Sequence, residues 1–85
     1  MTYRILFTRR AKKDYEALPD AIRPRILAAL DEIVRAPFEE GKPLKGEFKG
    51  CFSHRMGNYR IVYQIQSRQI IVLVLTIAHR KEVYR

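Results

Sequence analysis

Arg55 and Arg60 are the residues from which chemistry is most directly read. Between them lies Gly57-Asn58, a two-residue loop with glycine first that suits a type II′ hairpin turn, and residues 48–56 and 59–66 on either side read as strands. That loop pairs Met56 with Tyr59, Arg55 with Arg60, His54 with Ile61, Ser53 with Val62 and Phe52 with Tyr63. One face of the ribbon, Phe52, His54, Met56, Tyr59, Ile61, Tyr63 and Ile65, is mostly apolar and belongs to a core. The other carries Ser53, Arg55, Arg60 and Gln64. Like charges directly opposite on a sheet face cost stability, so two arginines placed there point to an anion.

A basic aromatic tail, His79-Arg80-Lys81-Glu82-Val83-Tyr84, follows the last strand and can return beside them. Arg55, Arg60 and Arg80 offer planar donor forks that match a phosphate, and Tyr84 offers a ring for stacking and a hydroxyl for proton handling. Such a set can hold RNA, whose bases stack on aromatic side chains, or stabilise charge developing on a phosphate under attack. Singly, each arginine reads equally well as a solvated surface residue and Tyr84 as a tail anchor; together they read as a site. His79 has an unperturbed pKa near neutrality and is a candidate for proton transfer. Lys45 and Lys49 add contacts to a nucleic-acid backbone, or only solubility. His54 falls on the core face, where a packed, hydrogen-bonded histidine is expected. The two histidines lack metal-ligand spacing with the single cysteine, Cys51, and no glycine-rich phosphate loop or nucleophile elbow is present. Neither metal nor cofactor is expected.

The elements that position these residues follow from periodicity. An opening strand, Tyr3-Arg4-Ile5-Leu6-Phe7, leads to Thr8, which can cap a helix with Ala11, Tyr15 and Leu18 at helical spacing until Pro19 ends it. Asp20 is expected to cap a second helix whose buried stripe is Ile22, Ile26, Leu30, Ile33 and Val34, with Pro24 near its first turn and Pro37 as its stop. Residues 37–45 read as a loop, and three strands follow, the last over residues 70–78, apolar on both faces and so central. The expected fold is α+β, in the order β-α-α-β-β-β. It has a mostly antiparallel four-stranded sheet, and both helices cover one face. One register stays open. A two-residue loop Ser67-Arg68 puts Arg60 on the face of Leu73 and Leu75, whereas an odd loop puts it with Val72, Val74, Ala78 and Arg80. The odd loop is preferred because it turns Ile71, Leu73, Leu75 and Ile77 toward the helices.

Eighty-five residues, 47% of them hydrophobic and 31% charged, make one globular domain over residues 1–85. The longest apolar stretch, residues 70–75, is too short to span a bilayer, no leader is expected after Met1, and a lone cysteine fits a reducing cytoplasm. Net charge is +8 and unevenly spread: residues 1–41 hold eight Lys/Arg against seven Asp/Glu, residues 42–85 nine against two. The excess sits on the segment that builds the arginine face, which predicts an acidic partner such as nucleic acid.

Leu44-Lys45-Gly46, then Arg55 through Gly57-Asn58-Tyr59-Arg60-Ile61-Val62-Tyr63, and finally His79-Arg80-Lys81-Glu82-Val83-Tyr84 resemble the signature of the RelE/ParE superfamily of bacterial toxins from toxin-antitoxin pairs. The resemblance runs the whole chain. It implies a fold like that of small microbial ribonucleases and, for the RelE branch, an mRNA endonuclease acting in the ribosomal A site, where the RNA 2′-hydroxyl attacks the adjacent phosphate without metal. Carried over, Arg55, Arg60, Arg80 and Tyr84 are the catalytic set; beside them Lys45, Lys49, Ser53, His79 and Lys81 are the expected RNA-binding residues. The best-known branch has a further lysine where Ser53 stands, which leaves a phosphate contact or proton donor to His79, Lys81 or Lys45. A RelB-like antitoxin, the ribosome and mRNA are the implied partners, in the cytoplasm. The ParE branch offers a different function, inhibition of DNA gyrase without RNA cleavage, and a nontoxic RNA-binding module is a third.

Overall fold

Thr8 joins the first strand to the first helix and ties both to the last strand, which lies inside the sheet. In the computed structural model, which describes residues 2–79, β1 spans Arg4–Phe7 and α1 spans Arg9–Glu16. Thr8 Oγ1 accepts from the Ala11 amide at 3.1 Å, the expected helix cap, and donates to the Leu75 carbonyl at 3.0 Å. Its own amide donates to the Val74 carbonyl at 3.0 Å.

Helix α2 spans Arg23–Arg35 and buries Ile26, Ala29, Leu30, Ile33 and Val34, with Ile22 partly buried beside them. Asp20 does not cap it. Residues 19–22 already wind onto the Pro19 carbonyl, which accepts from the Ile22 amide at 2.9 Å, so the helix start slides past Asp20 to Ile22. Asp20 pairs instead with the Arg23 guanidinium, which also donates to the Leu18 carbonyl at 2.7 Å and clamps the α1–α2 connection. Pro37 stops α2 but also opens a short helix α3, Pro37–Glu40, at a position where a missing donor costs nothing.

The sheet has five strands, not four, in the order β1-β5-β4-β3-β2. The additional strand β2, Lys42–Pro43, lies inside the expected loop and pairs Lys42 with Ser53 and Pro43 with Phe52. Two residues show no periodicity, and a proline is tolerated at a sheet edge because no neighbour needs its donor. Strand β3, Cys51–Met56, starts three residues later than expected, after a 3₁₀ turn at Gly46–Phe48. Strand β4, Tyr59–Gln66, has the expected limits, and the β3–β4 register is the one read from the turn, with Arg55 opposite Arg60. Gly57 has φ +59° while Asn58 stays at negative φ, as a type II′ turn requires.

Strand β5, Ile71–His79, pairs antiparallel with β4 and parallel with β1. Its register follows neither expected alternative throughout. Gln66 faces Ile71 across a four-residue turn, and Gln64 faces Leu73; then Leu75 is passed over, so that Val62 faces Thr76 and Arg60 faces Ala78. One extra residue reverses side-chain parity. Arg60 therefore shares its face with Ala78, as preferred, while Val72, Val74 and Ile77 all enter the helix-side core. Leu73, expected against the helices, lies on Gln64's face. Beyond the end of β1, Asp14 of α1 takes over the edge of β5, accepting from Thr76 Oγ1 at 2.7 Å and the Ile77 amide at 3.1 Å. Among the described residues no helix is long and apolar enough to cross a membrane.

Tyr63 fixes α3 and β2 to the sheet. Fully buried, it stacks on Phe52 with ring centroids 5.8 Å apart and donates its hydroxyl to the Pro37 carbonyl at 2.6 Å. Gly41 leaves the room it needs, since a β-carbon there would sit 2.2 Å from the Tyr63 oxygen. Burial, aided by the Glu40 carboxylate, pushes the Tyr63 pKa up to about 12. The folded state thus holds this proton where the unfolded chain, titrating near its ordinary value of 10.0, has released it. Its contribution is complete below pH 10 and lost as pH rises toward 12, at about 1.4 kcal/mol per pH unit. Tyr63→Phe is expected to flatten the fall in urea-derived stability between pH 10 and 12 relative to wild type. Gly41→Ala is expected to cost roughly 1–3 kcal/mol in the same measurement at neutral pH by displacing the Tyr63 hydroxyl.

Candidate active site

On the sheet face opposite the helices, alternation brings Arg55 and Ser53 of β3 together with Arg60 and Gln64 of β4. Lys42 joins them, because its partner in the edge ladder is Ser53. The two arginines are held differently. Arg55 is exposed and donates only a long hydrogen bond, 3.4 Å from Nε to the Gly57 carbonyl. Arg60 is half-buried, and its Nη1 donates to Ser53 Oγ at 3.3 Å. Ser53 is itself 6% exposed and buried in the sheet. Its hydroxyl therefore stands behind the Arg60 guanidinium instead of facing solvent as a direct RNA contact would.

The other residues expected at the site divide by position. Lys45 and Lys49 are exposed on the connection entering β3, flanking the 3₁₀ turn. They lie at the end of the strand remote from Arg55, roughly 13 Å away by strand rise. His79 pairs with Tyr59 and lies on the helix side of β5, the reverse side from Ala78 and Arg60. Its ring meets Tyr59 edge-on at 5.4 Å. The two line a cleft of about 190 Å³ with Asp14, Leu18, Pro19 and Ile77, among others. The geometry thus separates His79 from the arginine face. His54 is packed as expected: Nδ1 lies 2.7 Å from the Glu40 carbonyl and donates to it, since a carbonyl only accepts. Arg80, Lys81 and Tyr84 lie outside the described residues.

One cation near this face has no signal in the sequence. Arg25, in the first turn of α2, is exposed and extends its guanidinium to the tip of the β3–β4 hairpin, where Nη2 stands 3.4 Å from the position of a β-carbon on Gly57. Only the tertiary packing of α2 on the sheet brings it there. The ion pairs found among the described residues, Arg10–Asp14, Arg23–Asp20 and Arg35–Asp31, lie within the helical half of the chain. No cluster of three or more His, Cys, Asp or Glu able to hold a metal occurs among the described residues. The arrangement is a guanidinium face suited to a phosphodiester, with one fork held by the sheet and others exposed around it.

Comparison with known proteins places this geometry. Residues 5–84 match the family model described as the ParE toxin of type II toxin-antitoxin system, parDE. The chain belongs to the RelE/ParE superfamily of toxins. It is 41% identical to Toxin RelG of Mycobacterium tuberculosis over 90 aligned positions, covering all of this chain and 99% of that one. Identity is 30% to the mRNA interferase toxin RelE of Escherichia coli, over 99% of this chain and 92% of the relative. The toxin-antitoxin complex RelBE2 from Mycobacterium tuberculosis contains a chain of the same fold, with TM-score 0.87 and 36% identity, covering 94% of this chain and all of that one. The isolated Escherichia coli RelE toxin superposes with TM-score 0.80 at 29% identity, over 96% and 90% of the two chains. The protein is a RelE-type toxin of a toxin-antitoxin system.

Arg55→Glu tests the electrostatics of the pair apart from activity. Replacing a like-charged cross-strand pair by an opposite-charged one is expected to raise stability by roughly 0.5 kcal/mol. Urea denaturation at low salt measures it, and the gain should shrink in high salt.

Proposed function

We propose that the toxin is a metal-independent endoribonuclease that cuts mRNA on the ribosome. The reading rests most on the Arg55–Arg60 pair, a cationic face on a chain similar over nearly its whole length to a protein named mRNA interferase. In the proposed reaction the RNA 2′-hydroxyl attacks the adjacent phosphate and the 5′-oxygen of the next nucleotide leaves. Negative charge grows on the phosphoryl oxygens, where donors already in place are most effective. Arg60, held against Ser53, is oriented before RNA arrives; Arg55 is free to follow the backbone. Arg80 and Tyr84 complete the catalytic set by their match to the family signature, Tyr84 handling a proton or stacking on a base. Lys45, Lys49 and Lys81 lie along the RNA path. Outside the ribosome the toxin is silenced in the cytoplasm by a RelB-like antitoxin, a partner supported by the RelBE complexes among its structural relatives.

The family model's own description, a ParE toxin, favours a second reading, inhibition of DNA gyrase. The cationic pair argues for the nuclease, since ParE-type chains generally lack the basic catalytic set. Purified wild type, Arg60→Ala and Arg80→Ala are to be compared for message cleavage in a translating extract with and without EDTA, and for inhibition of gyrase supercoiling. Cleavage by wild type that survives EDTA and falls about a hundredfold or more in each variant is the expected result. Equal cleavage by all three removes the site assignment, and gyrase inhibition without cleavage reverses the two readings.

A further inference from the structure

The hairpin tip joins cations from two elements that the sequence keeps thirty positions apart. Arg55 directs Nε to the Gly57 carbonyl from β3, and Arg25 brings Nη2 to the same glycine from α2. Both side chains are exposed and so open to a ligand from solvent. Arg25 also stands in the first turn of α2, a turn without acidic residues, where the helix dipole disfavours a cation. Two like charges converging on one turn, one of them against a helix dipole, repeat at the tip the pattern of Arg55 and Arg60 on the face. In both places an approaching anion relieves the repulsion.

We propose that the Gly57 tip is a backbone-phosphate subsite, in which Arg25 and Arg55 grip a phosphodiester flanking the one at Arg60. The subsite rests on the reading that RNA is the anion at the neighbouring face. It carries the strand from the open face of the sheet around the hairpin end toward α2. Its contacts are to phosphate alone, so it positions RNA without selecting sequence. Arg25 would be a binding residue distinct from the family-matched set, contributed by the helical layer.

The test uses the full chain and a short 2′-O-methyl oligoribonucleotide, which lacks the attacking hydroxyl and so reports binding alone. Wild type, Arg25→Gln, Arg25→Lys and Lys12→Gln are titrated over a range of salt, with Lys12, an exposed α1 residue, as the control for net charge. Arg25→Gln is expected to weaken binding about three- to tenfold and to lower the slope of log K against log salt by roughly 0.7, the loss of one single-strand phosphate contact. Arg25→Lys should keep the slope, because a lysine still meets a phosphate as a point charge. Lys12→Gln should change both far less. Equal effects of Arg25→Gln and Lys12→Gln, or none from Arg25→Gln, overturn the subsite. Binding with this Arg25 dependence but no cleavage of message keeps the subsite and removes the nuclease reading. Binding to a polyglutamate peptide but not to the RNA overturns both in favour of an acidic protein partner.

Discussion

The extra residue in β5 is the constraint on which the rest of the structure depends. Without the displacement at Leu75, strict alternation would send Val72 and Val74 to one face of the sheet and Ile77 to the other. With it, all three enter the core beneath α1 and α2, and Ala78 arrives beside Arg60. The irregularity is fastened by neighbouring polar groups. Thr8 Oγ1 bonds the carbonyl of the displaced residue, and the Asp14 carboxylate takes the next edge amide, so a disrupted ladder leaves those backbone groups satisfied. Thr8 caps α1 and Asp14 lies within it, so this helix and its cap fasten the strand whose Ala78 comes beside Arg60.

This explains what the sequence shows and what it conceals. The β3–β4 hairpin is legible because Gly57-Asn58 fixes loop length, and loop length fixes every partner between Phe52 and Tyr63. Thr8 as a cap and Pro37 as a stop are legible for similarly local reasons. The β4–β5 register is not local. It combines a four-residue turn, in which Ile70 adopts φ +57° and which keeps the parity of the two-residue alternative, with a later bulge that reverses that parity part-way along the strand. Strand β2 escapes because two residues carry no period, and with it Lys42's place beside Ser53. Arg25 escapes because its position reflects only how α2 packs.

Charge counting has the same limit. Splitting the chain into halves assigns nearly all the excess to residues 42–85, but α1 exposes Arg9, Arg10, Lys12 and Lys13, balanced in the count by acids such as Glu39 and Glu40 elsewhere. Arg25 belongs to that nominally neutral half and nevertheless reaches the hairpin. A half-chain sum locates a tendency; only the fold locates a field.

Ser53 shows how one residue can alter the division of labour at such a face. A lysine at this position would bring a mobile point charge and a proton donor. The serine is too short to reach past the sheet, and its buried hydroxyl restrains the Arg60 guanidinium instead. On the proposed reading that RNA is cut at this face, a restrained donor loses less freedom when charge develops in front of it. On that reading Arg60 and Ser53 act as a unit and Arg55 as an independent capture group, although the hairpin ladder presents the two arginines as a symmetric pair.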